Sequence, residues 1–324
     1  MTTFISEARN DFINVAQNRS VQIGIAFVAL GLTIYGLGGP SIPAIAEMVP
    51  EQVRDEFTLM PIFLALALII YLITRKRTLP ELAARSPERS RAIQDLVIFG
   101  VYYFAAIIGL ASFGITYHPP DIFAEGVNFT PNNMINWATI NLIFYGIIPY
   151  LFFRWRGSSN QDLGLAGNNW RSDIWLLLAI GGIDAYSAIT TRGFLALDSS
   201  QMLSAVPLTA ILYGFGAGIP IVIMTQAIVA PRIMKLTNSH ITTVIVLTFT
   251  YAIFSSTDGG IVFDSGGHAF YVILFWITRN MGPGLVKAML TVRTGNSWLH
   301  MYEFHVMSFH IWADASTVAF VFGL

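Results

Sequence analysis

The chain alternates between apolar runs long enough to cross a bilayer and short polar connections. A membrane-spanning α-helix needs about 20 predominantly apolar residues, and nine runs approach that length. They lie at about 21–46, 58–74, 95–117, 133–153, 173–191, 204–235, 240–258, 267–289 and 298–322. Glycine and proline between 214 and 220 predict a kink or break in the sixth run. The pattern therefore predicts an all-α, polytopic transmembrane bundle of about nine helices.

The positions of Lys and Arg predict how these helices are oriented. Basic residues collect on the cytoplasmic side of membrane proteins. With the N-terminus in the cytoplasm, fifteen of the eighteen basic residues fall on the inner side, among them Arg75, Lys76 and Lys287. Only Arg54 and Arg192 fall outside, and Arg279 lies within a span. We expect a cytoplasmic N-terminus and an external C-terminus, in what we interpret as a bacterial cytoplasmic membrane.

Composition narrows the possible functions. Hydrophobic residues make up 54 % of the 324 residues and charged residues only 11 %, whereas an average soluble domain carries about 25 % charged residues. This balance excludes a cytosolic enzyme and a disordered chain, and the net charge of −1 argues against nucleic acid as a partner. The chain has no cysteine, so thiol nucleophiles, Fe–S clusters and Cys-ligated zinc are excluded.

Ionisable residues within the predicted spans are the first functional candidates, because charges are costly inside a bilayer. The candidates are Asp184, Asp258, Arg279, Glu303, His305, His310 and Asp314. Asp258 lies where its span ends, a position where a carboxylate needs no functional explanation. Asp184 and Arg279 have the charges for a structural ion pair between two helices, since a buried charge needs a partner.

Three of these residues share one face of the last predicted helix. Glu303 and His310 are seven residues apart, and His310 and Asp314 are four apart, so their side chains lie on one side. His305 faces elsewhere, about 200° from Glu303. Histidine and carboxylates together bind zinc or relay protons, and a neutral histidine can also hold a cofactor or simply pack against other helices. The sequence leaves these alternatives open.

Three short segments in the second half carry a family resemblance. They are Ser159-Asn160-Gln161-Asp162-Leu163-Gly164-Leu165, Asn169-Trp170-Arg171 and Thr294-Gly295-Asn296-Ser297-Trp298. With the order of helices from about 159 to 316, they resemble the CAAX protease and bacteriocin-processing family of intramembrane metallopeptidases. The resemblance implies a four-span region of unknown role over 1–157 and a peptidase-like five-span region over 158–324. It also implies a metal-activated water held by three motifs, EExxxR, FxxxH and HxxxN.

The chain departs from each of these motifs. The EExxxR place reads Thr225-Gln226-Ala227-Ile228-Val229-Ala230, without either glutamate or the arginine. The FxxxH place ends in Asp258, and the HxxxN place is best matched by His310 and Asp314. The resemblance thus implies Asp258, His310 and Asp314 as the possible zinc ligands. Glu303 remains as a base, but seven residues of helix place it about 10 Å from His310.

Three functions remain as hypotheses. The departures favour a non-catalytic relative of the peptidases that binds a lipid or another membrane protein in the former active-site cavity. An active metallopeptidase with substituted zinc ligands is the second hypothesis. The third is a pigment- or quinone-associated subunit of a larger membrane complex, because neutral histidine is a good axial ligand for a tetrapyrrole metal. A transporter is disfavoured, since the sequence shows no internal repeat.

Overall fold

The computed structural model describes residues 2–38, 59–113, 130–166, 169–191, 194–255, 266–302 and 309–324. These residues form ten principal helices and no strand. The helices are α1 (Thr2–Gln17), α2 (Arg19–Gly38), α3 (Met60–Thr74), α4 (Arg89–Ala111), α5 (Pro131–Trp155), α6 (Trp170–Thr191), α7 (Ser199–Thr237), α8 (His240–Ser255), α9 (Gly266–Thr294) and α10 (Phe309–Phe322). The prediction of an all-α protein is confirmed.

Several of these helices have the length and composition of membrane spans. Three are long and apolar enough to cross a bilayer, Arg89–Leu110, Pro131–Trp155 and Ser199–Thr237. Shorter apolar helices occur at Arg19–Ile34, Met60–Thr74 and His240–Ser255. Helices satisfy their own backbone hydrogen bonds, as a chain in hydrocarbon must. The length and apolar composition of these helices therefore indicate a membrane protein.

The long helix α7 lies at the centre of the bundle. Every residue from 220 to 232 is buried. Its winding changes to π-helical turns over Gly214–Gly218 and Val222–Ala227, so the predicted break at 214–220 is a local rewinding within one helix. Gly216 is required there, because a Cβ atom would meet the Trp137 ring at 2.6 Å. The small residue lets α5 pack directly on α7.

The other helices surround α7 in two groups that cross the proposed boundary at residue 157. Helices α4 and α5 pack against α7, while α8 and α9 form an antiparallel pair against which α2 packs. Helix α3 packs on α9, and α10 lies along the first half of α7 and on α6. The first and second halves of the chain therefore share their packing surfaces, and α10 is positioned to bring its polar residues against α7.

A buried carboxylate joins three segments at one end of the bundle. Asp95, in the second turn of α4, is 1 % exposed. One of its oxygens lies 2.7 Å from Arg156 and the other 2.8 Å from Arg232. The Arg232 guanidinium also lies over the Phe153 ring, 4.5 Å from its centroid. This triad fixes α4, the end of α5 and the end of α7 to one another.

Further hydrogen bonds join the connections that the sequence places together on the inner side. They pair Arg77 with Asp173 (2.7 Å), Arg85 with the Gly295 carbonyl (2.6 Å), Arg89 with the Leu236 carbonyl (3.1 Å), Arg293 with the Thr74 hydroxyl (2.9 Å) and Arg91 with the Arg156 carbonyl. Burial lowers the pKa of Arg85, and the Asp162 carboxylate acts in the opposite direction. Residues 74–95, 153–166, 169–173, 232–240 and 293–298 thus lie at one end of the bundle, here called the basic end.

Candidate functional site

The positions that replace the paired glutamates lie in the π-helical turn Val222–Ala227 of α7. The Thr225 hydroxyl donates to the Ile221 carbonyl at 2.7 Å and accepts from the Gln226 amide Nε2 at 3.0 Å. Both side chains are buried, and Gln226 Oε1 has no hydrogen-bond partner within the described part of the chain. π-helical turns are frequent at functional sites, but a hydroxyl and a neutral amide have no basic group that takes a proton at neutral pH.

His310 and Asp314 form a second polar pair, on α10. Nδ1 of His310 lies 2.7 Å from Oδ2 of Asp314, as their four-residue spacing predicts. Because a carboxylate only accepts hydrogen bonds, this contact assigns the ring proton to Nδ1. Metal-ligating histidines are usually oriented by a carboxylate in this way, so the pair has the geometry of a metal ligand with its supporting group.

The imidazole of His310 is held against the first half of α7. Its ring stacks on Tyr213, with 5.0 Å between the centroids and 19° between the planes. Tyr213 is thirteen residues before Gln226, which corresponds to about 20 Å along a helix. The structure therefore brings His310 to Asp314 and Tyr213, and it places Gln226 much further along α7.

Two further basic side chains are buried in the bundle, and neither is among the site candidates that the sequence predicts. Lys287 of α9 is completely buried, and its Nζ lies 4.0 Å from the centroid of the Tyr251 ring. The count of basic residues predicts Lys287 on the inner side, and this stays a prediction; the structure shows its side chain buried on α9, six residues before Arg293 of the basic end. His300 is also completely buried, and both Lys287 and His310 interact with it electrostatically.

A cation in a bilayer is costly, so a lysine inside an apolar run is itself a sequence feature that marks a candidate functional residue. The stretch from Gly284 to Leu290 has Lys287 as its only ionisable residue. A count of Lys and Arg predicts only the side of the membrane on which a residue lies, and it takes no account of the apolar residues that surround Lys287. Its contact with the Tyr251 ring offsets part of the cost of burial. Lys287, His300, His310 and Asp314 are ionisable side chains within the bundle and are here called the polar centre.

The remaining candidates are placed differently. Arg279 is half-buried on α9, with its guanidinium 4.5 Å from the centroid of the Trp276 ring. Asp184 lies on α6, but its side chain is outside the described residues. Asp258, Glu303 and His305 also lie outside the described residues. The proposed ion pair of Asp184 with Arg279 and the third zinc ligand therefore stay predictions.

The described residues contain no group of three or more His, Asp or Glu side chains that is placed to hold a metal ion. A zinc site that activates water uses about three protein ligands and keeps one open position. His310, oriented by Asp314, supplies one ligand of this type. It also has the chemistry of an axial ligand to a tetrapyrrole metal, which needs one imidazole nitrogen.

Comparison with known proteins adds no further assignment. No family model, no curated protein and no solved structure matches the chain. The likeness to the intramembrane peptidases therefore depends on the short segments and motif positions in the sequence. Function has to be argued from the polar centre and the basic end of the bundle.

Proposed function

We propose that this chain is a nine-span protein of a bacterial cytoplasmic membrane that binds a lipid or another membrane protein and does not cleave peptides. In this proposal it is a non-catalytic relative of the intramembrane CAAX peptidases. The observation that carries it is the buried hydrogen bond between Thr225 and Gln226, at the place where the peptidases have two glutamates. A hydroxyl and an amide bind polar groups, but they cannot serve as the base that activates water.

The position of His310 supports the same conclusion. Hydrolysis by a metal-bound water needs the base within hydrogen-bond reach of that water. His310 stacks on Tyr213, about 20 Å along α7 from Gln226. Loss of a general base alone lowers the rate by about 10²–10⁴-fold, and separation of the ligand from the base position lowers it further.

The basic end supports the proposed orientation. Arg75, Lys76, Arg89, Arg91 and Arg154 are exposed there. Connections rich in Lys and Arg remain in the cytoplasm. Helix α2 begins at this same end, because the Ser20 hydroxyl lies 3.4 Å from the Thr242 hydroxyl at the start of α8. We therefore place the N-terminus and the basic end in the cytoplasm and the C-terminus outside.

The test is a metal assay combined with cleavage of a membrane-anchored peptide reporter by the purified full-length protein. We expect no stoichiometric zinc and no cleavage in the wild type. The variants are His310→Ala and Asp314→Ala, with Thr317→Ala on the same helix as the matched control. Stoichiometric zinc with cleavage that both site variants abolish and the control retains would contradict the proposal.

The contact between His310 and Asp314 favours a second candidate, a subunit that carries a tetrapyrrole pigment. A carboxylate on Nδ1 sets the tautomer in which Nε2 has the lone pair that binds a metal. The wild-type protein, purified in mild detergent, would then absorb visible light, and His310→Ala would lose this absorbance while Thr317→Ala would keep it. A colourless preparation that retains a bound lipid or protein rejects this candidate and supports the first.

A further inference from the structure

The N-terminal helix α1 lies across the basic end of the bundle. Asn18 separates it from α2, because the Asn18 side chain accepts a hydrogen bond from the Ser20 backbone at 2.9 Å and caps α2. Seven residues earlier, the Asp11 carboxylate accepts a hydrogen bond from the Tyr71 hydroxyl of α3. Seven residues of helix span about 10 Å. Helix α1 therefore bridges from the start of α2 to the end of α3, two helices that both pack on α9.

These contacts place α1 at the level where the bundle helices end. Tyr71 is one helical turn before the last residue of α3, Thr74. At the other end of α1, Ser20 contacts Thr242 in the first turn of α8. Tyrosine is enriched at the depth of the lipid headgroups. The helix thus runs at the height of the bilayer surface, and the Asp11 carboxylate is directed towards the bundle.

One face of α1 presents apolar side chains that the described bundle does not cover. Phe12 is 73 % exposed and Val15 40 %, about 60° apart around the helix, while Ile13, 37 % exposed, lies about 100° from Phe12 in the other direction. Apolar side chains are also exposed on the two helices that α1 joins, Ile23 near the start of α2 and Leu72 beside Tyr71 of α3. The helices to which α1 is joined therefore also expose apolar side chains of the kind that contact lipid.

Positive charge surrounds this apolar face. Arg19 is the first residue of α2, and Arg75 and Lys76 follow α3, where α1 is attached. All three side chains are exposed. Such residues are attracted to anionic lipid headgroups. An apolar stripe beside exposed cations at the membrane surface has the chemistry of an interfacial helix.

We propose that α1 is an interfacial helix that binds the surface of the bilayer in which the bundle is embedded. Phe12 and Val15 enter the boundary between headgroups and acyl chains, about 5–10 Å deep. Arg19, Arg75 and Lys76 contact anionic headgroups around them. The proposal requires only that the bundle is embedded in a membrane, and it is independent of the peptidase resemblance and of the cytoplasmic orientation.

The absence of cysteine from the chain makes a direct test possible. Phe12→Cys carries an environment-sensitive fluorophore on the apolar face. Asn14→Cys is the matched control, because it is also exposed and lies about 200° further around the helix. The full-length protein is reconstituted in phosphatidylglycerol-containing vesicles whose acyl chains carry bromine either near the headgroup or near the chain end.

We expect blue-shifted emission from the label at position 12, with stronger quenching by the shallow bromines than by the deep ones. The label at position 14 should show water-like emission and weak quenching in both vesicles. Equal and weak quenching at the two positions would overturn the proposal, because α1 would then lie away from the bilayer. Crosslinking between copies of the Phe12→Cys variant, without quenching by lipid, would also overturn it and would assign the apolar face to a second copy of the chain.

Discussion

Replacing Asp95 by asparagine tests whether the buried triad holds the basic end together. The substitution keeps the size of the side chain and removes its charge. Both carboxylate oxygens are used in the wild type, by Arg156 on one side and Arg232 on the other. Arg232 is 1 % exposed, so it cannot regain water when the carboxylate is lost. Its hydrogen bond to the Ile228 carbonyl and its contact with the Phe153 ring remain.

The expected loss is about 3–5 kcal/mol, the cost of leaving one partner of a buried ion pair uncompensated. This is a large part of a total unfolding free energy of about 5–15 kcal/mol. The measurement is an SDS titration of the protein in mild-detergent micelles, with helicity followed by circular dichroism. The double variant Asp95→Asn/Arg232→Met should recover part of the loss, because it removes the uncompensated cation as well.

The matched control is Glu88→Gln, the same chemical change at an exposed residue just before α4. An exposed substitution of this kind changes stability by about 0.5 kcal/mol or less. If Asp95→Asn were no more destabilising than Glu88→Gln, the triad would contribute nothing to stability. If the double variant were less stable than Asp95→Asn, the destabilisation could not be attributed to an uncompensated Arg232.

Three further predictions concern packing, an N-cap and the polar centre. Gly284→Ala should destabilise the bundle by about 1–3 kcal/mol, because the new Cβ would lie 2.8 Å from a backbone carbonyl oxygen of α8. The control Gly100→Ala, with open space around it, should be neutral or stabilising in the same SDS titration. Hydrogen bonds from the first turn of α7 lower the pKa of Asp198, so the ionised carboxylate stabilises the fold above the ordinary Asp pKa and loses this effect as pH falls through the lower folded pKa. The Tm difference between wild type and Asp198→Asn should therefore shrink between pH 6 and acid pH. A constant difference would contradict this assignment. His310→Ala removes the contacts of the ring with Asp314 and Tyr213 and should lower stability by only about 0.6 kcal/mol, the average for polar contacts in a membrane. A loss equal to that of Asp95→Asn would refute this modest contribution.

Helix positions could be predicted because hydropathy is a local property of the sequence. The run at about 133–153 corresponds to Pro131–Trp155, and that at 173–191 corresponds to Trp170–Thr191. The π-helical turns of α7 could not be predicted in detail, and neither could the approach of the Trp137 ring to Gly216, which depends on how two helices pack. The glycines indicated only that the sixth run was irregular.

The candidate site divides in the same way into local and long-range contacts. The contact between His310 and Asp314 was predictable, because residues four apart face each other on any helix. The stacking of His310 on Tyr213 and the burial of Lys287 against Tyr251 depend on how helices register against one another. A linear pattern of hydropathy and charge contains no information on that register, so neither contact could be predicted from it.

The central claim is that the bundle spans a membrane with its basic end in the cytoplasm, and single-cysteine accessibility tests it most directly. Ser86 is a natural reporter position in the connection 75–91, but its side chain is buried. Glu88→Cys and Leu324→Cys are both substitutions at exposed positions in a chain without other cysteines. In intact cells, a membrane-impermeant maleimide should label the Leu324→Cys variant, and it should label the Glu88→Cys variant only after the membrane is permeabilised. Labelling of both variants from the same side would contradict the nine-span orientation.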